Sequence, residues 1–261
     1  MKKLIFTKGD ETRPKFEDLT DVDIYKNSIF SDIYDRAFSL INVITNPPKQ
    51  DDTKNNKPEY NRERNNIIAF IGERGSGKTS CLKSVYHSLY NDNSKSRPHK
   101  ILETKTTFNN QLPIIDPSYF DEHSNIIEIV IAHMFKSFKE AVNRSNHSLD
   151  GDNLEKKREL VKKFQEVKDA LDCTKARDIR FNSNDSIEQL SKLASGSNLH
   201  DSMEKLVECY LNYFKSENDN NSQMLVIAID DLDVQTNHTY QMVKQIRKYL
   251  IIDKVLILMG V

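Results

Sequence analysis

Long hydrophobic runs are missing from this sequence of 261 residues. No window approaches the ~18 consecutive apolar residues of a membrane-spanning helix. The opening Met1-Lys2-Lys3-Leu4-Ile5-Phe6 has no apolar stretch of about 7–15 residues behind its charges, which excludes a secretory signal peptide. Cysteine is scarce: Cys81, Cys173 and Cys209 lie far apart with no C-x-x-C spacing, so they read as reduced thiols, not as a disulfide framework or a metal site. A cytoplasmic protein is expected. An excess of one charge is also missing. With 38 Lys and Arg against 39 Asp and Glu, net charge −1 and pI near 6.7, there is no basic field of the kind duplex-binding domains carry. His123, His133, His147, His200 and His238 lack metal-ligand spacing, and Asp150-Gly151-Asp152 is too short for a calcium loop. No internal repeat is present. What remains is a globular composition, 37% hydrophobic and 30% charged, long enough for one large domain or two small ones.

Along the chain, Ile33, Ala37, Leu40, Ile41 and Ile44 recur at helical spacing and predict one helix over Asp23 to Thr45, ended by Pro47-Pro48. Residues 49–65 are almost wholly polar and read as an exposed loop. Ile67 to Ile71 is a short apolar run, the pattern of a strand buried on both faces. A helix with Leu82, Val85 and Leu89 on one side follows from Lys78, and Asn91 to Arg97 reads as a turn. Leu112 to Ile115 is a second buried-strand candidate, closed by Asp116-Pro117-Ser118. An amphipathic helix is predicted over about Ser124 to Val142, with Ile127, Val130, Ile131, Met134, Phe135, Phe138 and Val142 as its stripe. Residues 151–215 read as helical, broken at Asn182 to Asp185 and at Ser195 to Asn198, and Glu217 to Ser222 as a polar turn. Met224 to Ile229 is the third buried strand, a helix is expected over Thr239 to Leu250, and Val255 to Met259 is the fourth strand. Apolar strands alternating with helices imply a mainly parallel sheet covered on both faces.

Gly72-Glu73-Arg74-Gly75-Ser76-Gly77-Lys78-Thr79 fits G-x-x-x-x-G-K-[ST] at every defined position. The residue types follow from the chemistry. Glycines let the backbone curl around an anion with its N–H groups facing inward, and the following helix adds its positive end. The flexible charge of Lys78 suits β- and γ-phosphates, and the Thr79 hydroxyl suits Mg²⁺. The nucleotide-binding set is therefore Gly72 to Thr79 together with Ser80. A buried strand before the loop and a helix after it supply the context the motif needs.

Leu225 to Ile229 runs into Asp230-Asp231-Leu232-Asp233. A phosphate loop followed by an apolar strand ending in Asp-Asp resembles the additional-strand class of P-loop NTPases, which includes AAA+, STAND and KAP ATPases. The Asp230–Asp233 run is most similar to the KAP pattern. Ile114-Ile115-Asp116-Pro117-Ser118 and Gln245-Ile246-Arg247-Lys248-Tyr249-Leu250 resemble segments of large bacterial ATPases, several of them in anti-phage defence, the RADAR ATPase subunit among them.

The resemblance implies an α/β fold, a three-layer αβα core with a parallel sheet in the order 5-1-4-3-2. Val255 to Met259 would be the strand inserted between the loop strand and the acidic strand. Of that pattern the fifth strand is missing, and a sensor residue and a lid would lie beyond Val261, so a fragment of a longer protein is expected. The organisation implied is a helical segment and polar loop over 1–65, then the NTPase core over 66–261 with a helical insertion about 143–222. It also implies ATP and Mg²⁺ as ligands, Thr79 and Asp230 at the metal, Asp231 and Lys78 as catalytic groups, a homo-oligomer in the form of a ring, and a downstream effector. Arg177, Arg180 and Arg247 are candidate fingers for a neighbouring subunit, against the blander reading of solvated arginines. A motor or switch driven by hydrolysis competes with a nucleotide-gated scaffold and, less well, with a small-molecule kinase, for which no substrate motif is found. The second acid, Asp231, favours hydrolysis, since a pure binder does not need it.

Overall fold

The computed structural model describes residues 16–46, 65–90, 106–120, 125–144, 151–175, 198–215, 221–232 and 236–261. In chain order they form α1 (Val22–Asn27), α2 (Ser31–Thr45), β1 (Ile67–Phe70), α3 (Lys78–Tyr90), β2 (Thr106–Thr107), a 3-10 turn (Pro117–Tyr119), α4 (Ile126–Arg144), α5 (Gly151–Lys175), α6 (Leu199–Phe214), β3 (Ser222–Gln223), β4 (Leu225–Ile229), α7 (Thr236–Tyr249) and β5 (Val255–Gly260).

β5 lies between β1 and β4, parallel to both, with Ile257 opposite Ile67 on one side and Ile227 on the other. The strand expected between the loop strand and the acidic strand is therefore there. Beyond β4, Ile115 bridges Ile229, and β2 pairs with β3 in the same parallel sense. Alternate side chains enter opposite faces, as the pleat requires. Leu225, Ile227, Ile229, Val255, Ile257 and Met259 face a core built with α4, α5, α6 and α7. Val226, Ala228, Leu256 and Leu258 join Ile68 and Phe70 in a second core under α2 and α3. Burial on both faces explains the unbroken apolar runs of β4 and β5. Each fully buried aliphatic side chain contributes about 1.5–3 kcal/mol.

Three expectations need correction. The single helix over Asp23 to Thr45 is two, because Ser28 turns extended (ψ 143°) and its hydroxyl accepts the Phe30 N–H at 3.0 Å. Such local bonds by serine compete with helix continuation. The buried face of α2 is Tyr34, Ala37, Phe38 and Ile41, while Ile33 and Leu40 point outward. Leu112 to Ile115 is not a regular strand: Pro113 has no N–H to give a ladder, and only Ile115 pairs, its N–H donating to Ala228 O at 2.9 Å.

The helical reading of 151–215 resolves into α5 and α6, tied to α4 by ring contacts of Phe164 with Phe135 (5.2 Å) and Tyr213 with Phe138 (5.0 Å). Asn182 to Asp185, the polar loop before residue 65, Asn91 to Arg97, Arg177 and Arg180 lie outside the described residues. No helix among the described residues is long and apolar enough to cross a membrane.

Candidate functional site: a phosphate loop facing a buried carboxylate

β1 ends at Phe70 and the chain passes through the glycine loop into α3. Gly75 and Gly77 have φ of +83° and +91°, a region L side chains rarely adopt. Ser76 N–H donates to Glu73 O at 3.1 Å, and Cys81 N–H to Gly77 O at 2.9 Å closes the first turn of α3. The leading N–H groups of α3 thus face the loop, at the positive end of a helix of 13 residues. Glu73, Arg74 and Ser76 are exposed, while Lys78, Thr79 and Ser80 are half-buried. Lys78 Nζ reaches back across the loop and donates to Gly72 O at 2.9 Å.

The Thr79 hydroxyl donates to Asp230 Oδ1 at 3.1 Å. These residues are 151 apart in sequence, and β5 brings them together by pairing with both β1 and β4. Asp230 is 4% exposed. Its N–H donates to Ile115 O at 2.8 Å, and its Oδ1 also accepts the Asp231 N–H at 3.1 Å. Burial, then the neighbouring Asp231 charge, raises its pKa above the ordinary carboxylate value, opposed by the Thr79 hydroxyl and Lys83. Asp231 is half-buried, with φ of +51°. Asp tolerates the left-handed region better than most residues, and the turn lets two successive carboxylates leave the end of β4. Leu232 is buried behind them, and Asp233 lies outside the described residues.

A family model for the KAP family P-loop domain matches residues 40–259. The chain belongs to the KAP family. A search of curated proteins finds no match. The KAP domain is a nucleotide-binding domain of the P-loop NTPase class, and its matched stretch contains the loop, β4 with its two acids, and β5.

Two groups at this KAP site were not singled out from sequence. Lys83 is four residues after Thr79, so both project from one face of α3, and its Nζ lies 3.9 Å from Asp230 Oδ2. That spacing was available in the sequence. Gly260, at the end of β5, leaves the room that Asp230 occupies: a Cβ there would lie 2.7 Å from Asp230 Oδ1. Nothing local in the sequence says what faces that glycine. Arg247 is exposed on α7. On the first two turns of α6, His200, Asp201 and Glu204 place ligand atoms within 4.8 Å of one another, but Asp201 is exposed and His200 Nε2 faces Ile251 O at 3.1 Å.

Proposed function

We propose that this KAP domain binds ATP with Mg²⁺ at Gly72 to Ser80 and hydrolyses it, and that hydrolysis drives a switch or motor in a homo-oligomer. The observation that carries the reading is the Thr79–Asp230 hydrogen bond at 3.1 Å. It sets a hydroxyl and a carboxylate side by side at the loop, the oxygen donors a hard divalent cation takes. The loop fits the triphosphate by the same logic: positive-φ glycines, helix N–H groups and one lysine. Thr79 and Asp230 would hold the cation, which supplies charge neutralisation at the β- and γ-oxygens when bound.

The rest falls to the chain's own groups. Lys78 exchanges its Gly72 carbonyl for phosphate oxygens and stabilises the charge that builds there during transfer. Asp231 orients a water and accepts its proton as the water oxygen bonds to the γ-phosphorus. The bond from that phosphorus to the β,γ-bridging oxygen breaks, and ADP leaves with the electron pair. The resemblance of Ile114–Ser118 and Gln245–Leu250 to segments of bacterial defence ATPases makes anti-phage defence the setting we favour.

Two variants test the reading. Lys78→Ala should lose ATP binding in calorimetry while remaining folded, since its charge is the main side-chain partner of the phosphates. Asp231→Asn should keep Mg·ATP binding and lose about 10²–10⁴-fold in phosphate release. Unchanged affinity in the first removes the loop assignment. Unchanged turnover in the second moves water activation to another residue and leaves the scaffold role open.

A further inference from the structure

The segment ahead of the family match touches the phosphate loop. Phe30, at the elbow between α1 and α2, packs the tip of its ring on Gly77: a Cβ built on Gly77 would lie 2.4 Å from Phe30 Cζ and 2.9 Å from Cε1. Gly77 is the loop's last glycine, with φ of +91°, and its carbonyl accepts the first turn of α3. The elbow is itself braced. Glu17 Oε2 accepts the Ser28 hydroxyl at 2.6 Å and the Tyr34 hydroxyl at 2.8 Å. The Glu17 N–H donates to Ser84 Oγ at 3.0 Å, on α3 one turn past Ser80. Phe30 N–H to Ser28 Oγ (3.0 Å) fixes the bend. Tyr34 and Phe38 continue the contact into the core below α3. Glu17, Ser28, Phe30 and Tyr34 all precede residue 40, where the family match begins.

From this geometry we infer that Phe30 is a positioning residue for the nucleotide site, a strut that holds the phosphate loop in its anion-binding curve through Gly77. The inference rests on the ATP-binding reading above. The physical reason is local. A loop with two positive-φ glycines has more unfolded freedom than any other backbone. A ring pressed on one of them from a braced helix junction removes part of that freedom before the anion arrives, and preorganisation of this kind appears as affinity. The contact also runs the other way: an anion that stiffens the loop stiffens the elbow.

The geometry makes an unusual demand on substitutions. Phe30→Tyr puts an oxygen on Cζ, the atom that meets Gly77, although the ring is half-exposed and a merely structural contact would tolerate a hydroxyl. We expect Phe30→Ala and Phe30→Tyr each to weaken both Mg·ATP and inorganic tripolyphosphate by about tenfold in calorimetry, because misplacement of binding groups is costly even when they remain present. Ile29→Ala, beside it and 88% exposed, should stay within about twofold. In wild-type protein, saturating Mg·ATP should slow amide exchange in residues 28–34 as well as in the loop. The exchange measurement decides the matter should a variant fail to fold by circular dichroism. Phe30→Tyr binding within about twofold of wild type, or exchange at 28–34 indifferent to ATP while the loop is protected, overturns the inference and spares the ATP reading. Wild-type protein that takes up neither ATP nor tripolyphosphate overturns both.

Discussion

Asp230 sits at 4% exposure with a second carboxylate next to it in the chain, and its position costs the fold stability. Burial and the Asp231 charge raise its pKa, so the folded protein holds this proton at a pH where the unfolded chain has released it. The stabilisation that proton brings is present below the ordinary carboxylate range and is lost as pH rises through the raised value. Near neutrality the ionised group is a net cost. Asp230→Asn should therefore raise the melting temperature of the nucleotide-free protein at pH 7. The gain should shrink as pH is lowered through the carboxylate range, and Mg²⁺-dependent nucleotide binding should be lost. A melting temperature that falls at pH 7 would mean that Lys83 and Thr79 more than offset the burial. The carboxylate pair was legible in the sequence because the motif is local. What surrounds it was not: Lys83 could have been found from its i,i+4 relation to Thr79, whereas the space at Gly260 depends on strand register.

At the level of elements, the legible parts are those whose pattern follows from being buried on two sides. β1, β4, β5, α3 and α4 stand within a few residues of where the apolar runs and the 3.6-residue stripe put them. The second strand failed as a regular strand because Pro113 interrupts its donors and only Ile115 pairs with β4, and β2 carries two threonines with no apolar signal at all. The long first helix failed because its break rests on one serine, Ser28, whose hydroxyl holds the Phe30 N–H. Its buried face was misread because α2 is apolar on two faces, so periodicity chose Ile33 and Leu40 where packing chose Tyr34 and Phe38.

One element junction invites a test. The Asn66 side-chain amide, 3% exposed at the start of β1, shares its two N–H donors among Leu250 O (3.0 Å), Ile252 O (3.2 Å) and Val255 O (2.9 Å). It fastens β1 to the turn between α7 and β5. Asn66→Ala should cost about 1–3 kcal/mol, read as a lower urea midpoint with an unchanged slope. A midpoint that does not move would show that the turn holds without this clamp.

For the molecule as a whole, the two cores divide the labour. One carries α4 to α7, the other carries α1, α2 and α3, and the sheet is the wall between them. This division was readable only as a fold class, because which helix covers which face is settled by side-chain alternation in β4 and β5 after they pair. The assembly we propose makes its own demand. If an arginine from a neighbouring subunit completes the site, as fingers worth about 10³–10⁵ in rate do elsewhere, turnover per subunit should climb with protein concentration and level off where light scattering shows the assembly complete. Arg247, exposed on α7, is the described candidate, and Arg247→Ala should flatten that climb without changing ATP affinity. Full activity in a protein that stays monomeric would remove the requirement for a neighbour.

The placement of β5 has a further consequence in time. A growing chain that has been made as far as residue 240 already holds both the glycine loop and the two acids, yet nothing lies between β1 and β4 to set their distance. That role belongs to Val255–Gly260, which pairs with both. At about 5–20 residues per second, the ribosome completes the glycine loop, Lys83 and both acids before it delivers the strand that brings them together. Nascent chains stopped before Val255 should therefore bind nucleotide more weakly than chains that include β5.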